Sequence, residues 1–338
     1  MADKVRIAMM SMAHAHAEGY ARQVAENPEA KMICVWDDNV ERGKAAAQQA
    51  GVPYTDDMDA AIGRSDVDAV IVNAPTAQHK EIYLKAIKAG KHVFTEKALT
   101  ITTKDADEVV AAAKRTSLKF TVSLPNRTRP ETILIKDLVE RGAIGDVTMI
   151  RARVGHQAAI DRWFKGGQLW FVDEKAAGGG AMFDLGCHTT DFIRWVMGPP
   201  KSAVAIMNNF SGVYPIDDNG VAIVEFKNKG LGILDSSFVH RSGPNLIEVF
   251  GTEGYIGRGF PGQNIVIQSR KLRAGDMDAW VVPVKLPDPK PSIMQAWISA
   301  ILRDTPLITT VEDGRNLTQL LEGCYTAWHT GKKVEFGA

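Results

Sequence analysis

The sequence is short of cysteine: Cys34, Cys187 and Cys324 are the only three in 338 residues, far apart and in no CxxC pair. An odd, scattered set gives neither a disulfide framework nor a zinc site and fits a reducing compartment, so a cytoplasmic protein without bound metal is expected. Charge of one sign is also missing, with 40 Lys+Arg against 40 Asp+Glu and no long basic or acidic run. A phosphate-backbone binder needs a basic excess or stripe, which argues against nucleic acid as a partner. No run approaches the roughly 18 apolar residues of a membrane-spanning helix. Residues 7–13 follow Lys4 and Arg6 in the manner of a short signal peptide, but His14 and His16 interrupt the pattern and no small-residue cleavage site follows. No repeat with a period of roughly 20–50 residues is visible, which argues against solenoids and propellers.

What is present is globular. With 45% apolar and 24% charged residues, disordered and collagen-like compositions are excluded, and the length suggests about two domains at roughly 150 residues each. In the first third, short apolar runs at 5–10, 32–36, 69–72, 92–95 and 119–122 alternate with amphipathic helical patterns such as 40–50, 77–89 and 103–115. Continuous apolar strands separated by helices imply a parallel sheet covered on both faces, a Rossmann-type doubly wound α/β domain over residues 1–122.

After a helical segment at 130–141 the texture changes. Apolar runs at 147–154, 203–207, 221–226, 232–239, 246–250, 264–268 and 280–284 follow one another with Gly-, Asn- and Pro-bearing turns between most of them. Residues 123–338 therefore read as an α+β domain with a large open, mainly antiparallel sheet. Its helices are expected around 185–197, 292–303 and 312–330, the last two able to pack back on the first domain. Strands such as 203–207 and 232–239 are too apolar to leave in water on both faces, so a homo-oligomer through this sheet is expected.

Ligands of a doubly wound sheet bind beyond the carboxyl ends of its strands, so the first strand-to-helix turn is where a dinucleotide would sit. That turn reads Ser11-Met12-Ala13-His14-Ala15-His16 in place of the usual G-x-G-x-x-G. Ser11 and Ala13 are small enough for a tight turn and a close pyrophosphate, and His14 and His16 could donate to its phosphates or simply begin the helix. Asp37 lies 21 positions after His16, where a carboxylate would accept from the ribose hydroxyls of NAD, and with Asp38 would repel the extra phosphate of NADP. A plainer reading has Asp37, Asp38 and Asn39 cap the next helix.

Two further segments carry a family resemblance. Asn73-Ala74-Pro75-Thr76-Ala77-Gln78-His79 followed by Ala89-Gly90-Lys91-His92-Val93-Phe94-Thr95-Glu96-Lys97-Ala98 resembles the fourth and fifth strand ends of the Gfo/Idh/MocA (glucose-fructose oxidoreductase / inositol dehydrogenase) family, in which the fifth strand ends in Glu-Lys-Pro. Gly178-Gly179-Gly180-Ala181-Met182-Phe183-Asp184-Leu185-Gly186-Cys187-His188-Thr189-Thr190-Asp191 resembles the family's GGG-x-x-x-D-x-G-x-H-x-x-D signature. The chain departs from the family pattern in its glycine-poor first turn and in Ala98, which stands where proline is usual.

The resemblance implies an NAD(P)-dependent dehydrogenase of a sugar, cyclitol or related polyol, with the nicotinamide between the two domains, Lys97 and His188 facing the substrate hydroxyl and Asp184 close by. It adds Asn73, Pro75, His79 and Glu96 to the cofactor set formed by Ser11, Met12, Ala13, His14, His16 and Asp37, with Lys97 in both roles. NAD is expected over NADP. The residue types suit the chemistry: a histidine titrates near neutrality as base, a lysine holds a developing alkoxide, and an aspartate four residues away on a helix orients the imidazole. In the bland readings Asp184 is a helix N-cap, His188 a core histidine and Lys97 a solvated surface lysine.

Asn126 and Arg127 match a family position that reaches substrate, or form a linker turn. Arg153, His156, Trp163 and Trp170 flank a long connection, about 156–180, that could close over a cleft and offer aromatic rings to a sugar. His240 and Arg241 end a strand with the same ambiguity. Two other functions fit the same residues: an NAD-assisted glycoside hydrolase or lyase that recycles its cofactor internally, and a non-catalytic nucleotide- or sugar-binding regulator.

Overall fold

The computed structural model describes residues 4–272, 280–283 and 285–337. Contacts divide the chain into two compact units: residues 1–124, 165–178 and 291–318 form the first, and 125–164, 179–290 and 319–338 the second. The boundary expected after residue 122 lies close to the first crossing, but neither unit is one continuous segment.

The first unit opens with β1 (Val5–Met10), α1 (Ala17–Glu26), β2 (Ala30–Trp36), α2 (Val40–Ala50), β3 (Tyr54–Thr55), α3 (Met58–Ile62) and β4 (Ala69–Val72). α4 (His79–Lys88), β5 (His92–Thr95), α5 (Thr103–Ala113) and β6 (Phe120–Val122) follow. The six strands make one parallel sheet in the order β3-β2-β1-β4-β5-β6. The strands are near-continuous Val, Ile, Met and Ala because both faces are covered, and Ile7, Met9, Ile71 and Phe94 are essentially sealed. Asn39, Asp57 and Thr102 cap α2, α3 and α5, each accepting a backbone N–H with its side-chain oxygen.

The second unit begins with α6 (Pro130–Glu140) and β7 (Val147–Gly155), after which α7 (Glu174–Ala177) returns to the first unit. Then come α8 (Ala181–Asp184), α9 (Gly186–Met197), β8 (Pro200–Asn208), β9 (Asn219–Phe226), β10 (Leu231–Ser237), β11 (Ile247–Gly251), β12 (Gly254–Phe260) and β13 (Gln263–Ser269). With β14 (Val334–Glu335) they form an eight-stranded sheet, β13-β12-β11-β7-β10-β9-β8-β14, antiparallel except where β10 runs parallel to β7. α9 packs on β7 and β10, and the face it covers carries Ser236 and Gly232, since a Cβ on Gly232 would meet Ile193.

α10 (Ile293–Arg303), begun by a Ser292–Gln295 capping box, belongs to the first unit and buries Trp297 against its core, with the indole N–H donating to the Lys119 carbonyl at 2.9 Å. α11 (Val311–Thr330) contributes its first turns to the first unit and the rest to the second. The sequence reading missed β12, and it placed a strand at 280–284 where Val281 makes only an isolated bridge to Ile267 and residue 284 lies outside the described residues.

Candidate active site

The turn after β1 shows how the chain manages without the first glycine. Ser11 adopts a left-handed φ of 70°, a conformation that costs a residue with a Cβ about 1 kcal/mol. Its hydroxyl offsets this locally by accepting the Ala13 N–H at 3.1 Å and lying 3.4 Å from Asp37. Ala13 is buried at the second glycine position, and His16 precedes α1 with its side chain 55% exposed, so the histidine at the third glycine position points its bulk outward.

Asp37 follows β2 as expected, yet its carboxylate is fully buried and already occupied. It accepts from the Met12 and Asn39 backbone N–H groups at 2.7 and 2.8 Å and from the Arg42 Nε and guanidinium nitrogen at 2.9 and 2.6 Å. A free ribose acceptor is therefore not found at Asp37. The neighbouring Asp38, 45% exposed, takes a third bond from Arg42 at 3.0 Å and one from Gln78 at 2.8 Å. Asp38, Asn39, Arg42, Ala13, Pro75 and Trp170 with Gly167 line a cavity of about 310 Å³ at the carboxyl ends of the first strands.

Trp170 thus lies away from its expected substrate role. It belongs to the 165–178 segment of the first unit, donates its indole N–H to the Ala13 carbonyl at 3.1 Å and stacks on Phe171 at 3.9 Å between ring centroids. His14 packs against both rings. His79 is corrected too: it is buried, and its ring nitrogens face the carbonyls of Ala74, Ala98 and Leu99 at 2.9–3.2 Å, so it ties the turn after β4 to that after β5 and leaves no nitrogen for a nucleotide. Burial lowers its pKa against the opposing pull of those carbonyls. Asn73 is buried behind the first turn, its backbone carbonyl accepting from His14 N–H at 3.0 Å.

Glu96 and Lys97 follow β5 directly, both buried. Glu96 accepts from Tyr20 and faces His16 at 2.9 Å and His14 at 3.7 Å. Burial alone would raise its carboxyl, but the charge of His14, the hydrogen bond and charge of His16 and the charge of Lys97 hold it well below the usual carboxylate range. Ligand atoms of His14, His16 and Glu96 all lie within 4.8 Å of one another. His14 Nδ1 accepts the His16 N–H at 3.2 Å and His16 Nδ1 meets Glu96 Oε1 at 2.9 Å, while His14 Nε2 stands 3.7 Å from Glu96 Oε2, beyond hydrogen-bond distance. The Lys97–Ala98 peptide is cis although proline is absent.

In the second unit the glycine run leads through α8 into α9. Asp184 ends α8, and Leu185, itself in right-handed helical geometry, joins it to α9. Asp184 and His188 are therefore four residues apart in helical backbone, on one side of the chain. Asp184 is not an N-cap: it is the last residue of α8, and Leu185 holds the N-cap position of α9. The third member of the signature, Asp191, is buried and holds Arg127 through bonds of 3.1 and 2.7 Å, while Arg127 also lies 4.8 Å from the Trp195 ring centroid. Asn126 donates to the His188 carbonyl at 2.9 Å. These two residues brace α9 from the side.

His156 stacks on Phe238 at 5.3 Å with Trp163 on its other flank at 4.7 Å, and Trp163 stays 47% exposed. Arg153 is a correction: it pairs with Asp235 at 2.8 Å, and Asp235 alternates with Ser236, which faces the helices, so Arg153 stands on the opposite, open face of the sheet. His240 adjoins Gly155, and Arg241 pairs with Asp161 at 2.7 Å. Sequence reading missed Arg42, whose partners Asp37 and Asp38 are near in sequence but whose role depends on burial, and it missed Asp217 and Tyr325, whose partners are remote and whose neighbours in sequence carry no motif.

The first unit matches the oxidoreductase family with an NAD-binding Rossmann fold over residues 6–124, and residues 132–257 match the GFO/IDH/MocA C-terminal domain. The 1,5-anhydro-D-fructose reductase of Ensifer adhaerens is 30% identical over 241 residues, 70% of each chain. The scyllo-inositol 2-dehydrogenase (NAD(+)) of Bacillus subtilis (strain 168) is 27% identical over 82% of this chain and 80% of that protein. Among solved structures, levoglucosan dehydrogenase in complex with NADH and L-sorbose superposes with a TM-score of 0.86 at 19% identity over 99% of each chain. The chain belongs to the GFO/IDH/MocA family of oxidoreductases with an NAD-binding Rossmann fold.

Proposed function

We propose that the protein transfers a hydride between NAD and a secondary alcohol of a sugar, cyclitol or related polyol, with Lys97, Asp184 and His188 as its acid–base residues. The observation that carries this reading is the presence in one chain of Glu96-Lys97 directly after β5 and of Asp184 and His188 spaced four apart behind a glycine run. The names of the relatives agree, since they reduce or oxidise anhydro-sugars and inositols.

The residues around the 310 Å³ cavity fit a dinucleotide: a half-exposed Asp38 carboxylate for hydroxyls, a planar indole and a small Ala13 where a pyrophosphate must come close. NAD, when bound, supplies the hydride acceptor. His188 accepts the alcohol proton, Lys97 stabilises the alkoxide by its charge, and Asp184 orients the imidazole and favours its protonated form. Asn126 and Arg127 hold the helix that carries His188, and Trp163 offers an apolar ring face to a sugar.

The same reading includes a homo-oligomer. Val204 and Ile206 on β8 stand opposite Ile223 and Val221 on β9, all at least 40% exposed on the open face, an apolar stripe that a second copy would cover. Three buried free thiols suit a cytoplasmic location. Absorbance of NADH during incubation with NAD+ and a panel of myo-inositol, scyllo-inositol, D-glucose and methyl glucoside tests the main reading. Accumulating NADH supports it, and cleavage of the glycoside without NADH refutes it.

A further inference from the structure

The start of α8 is capped by residues far away in the chain. Gly180, Ala181, Met182 and Phe183 carry the first four backbone N–H groups of the helix start, of which Phe183 also reaches the Gly180 carbonyl at 3.1 Å. Asp217 Oδ1 accepts from Gly180 at 2.7 Å, the Asp217 carbonyl from Ala181 at 2.8 Å, and Asp217 Oδ2 from Met182 at 3.0 Å. The Tyr325 hydroxyl accepts from Gly180 and Phe183 at 3.0 and 3.2 Å and donates its proton to Asp217 Oδ1 at 2.7 Å. Two residues thus serve all four donors. α8 has only four residues, and the Asp184 and Leu185 N–H groups bond the Gly180 and Ala181 carbonyls at 2.8 and 3.0 Å, so the cap that holds Gly180 and Ala181 anchors the turn that ends in Asp184.

The glycine run makes room for the cap. A Cβ on Gly180 would lie 1.9 Å from the Asp217 carbonyl oxygen, and one on Gly179 would lie 2.3 Å from the Tyr325 hydroxyl. Gly178 ends α7 with a φ of 96°. Two of the three signature glycines are therefore required by contact with Asp217 and Tyr325, and the third by backbone conformation.

We propose that Asp217 and Tyr325 are positioning residues for the reaction: by capping α8 they set the direction of Asp184 and, through the Leu185 joint, of His188. The role is one of position, exerted through the backbone N–H groups of residues 180–183. This rests on the assignment of Asp184 and His188 above. The 319–338 segment, which brings Tyr325 to the cap, is then part of the catalytic apparatus.

The test compares the full-length protein with Tyr325→Phe, which keeps the ring and removes the hydroxyl, and with Asp217→Asn. Expected for Tyr325→Phe are a kcat lower by on the order of 10- to 100-fold on the best alcohol of the panel, KM and NADH affinity within about 3-fold, and a displaced pH limb of kcat/KM. The imidazole titration of His188, followed by NMR, is expected to move as well. Unchanged kcat and titration with only a lower Tm would overturn the proposal and leave the cap purely structural. His188→Ala separates the two readings. If that variant keeps full turnover, the assignment of the base fails, and the His188 titration in Tyr325→Phe alone decides the positioning role, an unmoved midpoint overturning it. Where Tyr325→Phe does not fold, the same measurements are read on Asp217→Asn.

Discussion

The Arg42 guanidinium closes over both carboxylate oxygens of Asp37, at 2.9 and 2.6 Å, in a pocket where Asp37 has no exposure. An acidic residue at the end of β2 thus serves as the anchor of the first turn, and the exposed acceptor is shifted by one position to Asp38. NAD should consequently bind more tightly than NADP, and Asp38→Ser should narrow that gap in calorimetric titrations while leaving Tm near that of the parent. If Asp38→Ser leaves the ratio untouched, the ribose is read elsewhere.

Arg42→Ala removes the partner of a buried carboxylate. Breaking such a pair costs about 3 kcal/mol when both members are enclosed, and the partial exposure of Arg42 reduces this to about 2 kcal/mol. Denaturant unfolding checks the figure, and a loss well under 1 kcal/mol would mean that the backbone N–H groups of Met12 and Asn39 suffice.

Trp170→Ala should weaken NADH binding by on the order of 10-fold. The substitution removes the indole bond to Ala13 and one wall of the cavity, both within the first unit. Fluorescence titration reads the change directly, and unaltered affinity would disconnect the 165–178 segment from the cofactor.

Glu96 has a folded-state pKa well below that of an unfolded carboxylate. Its contribution to stability is therefore fully present above the unfolded value of roughly 4.3 and is lost as pH falls through the lower folded value. In Glu96→Gln the protein should be less stable at pH 7 and its acid limb should be shallower. Parallel Tm-against-pH curves for the two proteins would contradict this.

Lys97→Ala and His188→Ala should each lose about 100- to 10,000-fold in turnover, with the neutral-pH limb of kcat/KM absent in His188→Ala. The double variant should be little worse than the poorer single one, because residues acting as a unit are non-additive. Normal turnover in His188→Ala would move the base to another residue.

The strands of the first unit were legible because residues 5–10, 69–72 and 92–95 are short, largely apolar runs bounded by turns, the pattern that a sheet covered on both faces imposes. β12 was not legible: Gly254, Gly257 and Gly259 stand where β-branched residues normally mark a strand, and only pairing with β11 and β13 makes it one. Lys97, Asp184 and His188 could be picked out by motif. Asp217 and Tyr325 could not, because 108 positions separate them and each is an ordinary residue in its own neighbourhood. The pairing of Asp37 with Arg42 is local in sequence, but whether a carboxylate accepts from a ligand or from its own chain depends on burial, which spacing does not encode.

The chain passes between its two units five times, after residues 124, 164, 178, 290 and 318. A single cut or splice, the event by which genes exchange domains, would leave at least one unit without a piece of its core: the first unit would lose Trp297, or the second Tyr325. No single crossing point separates the two units with both left whole.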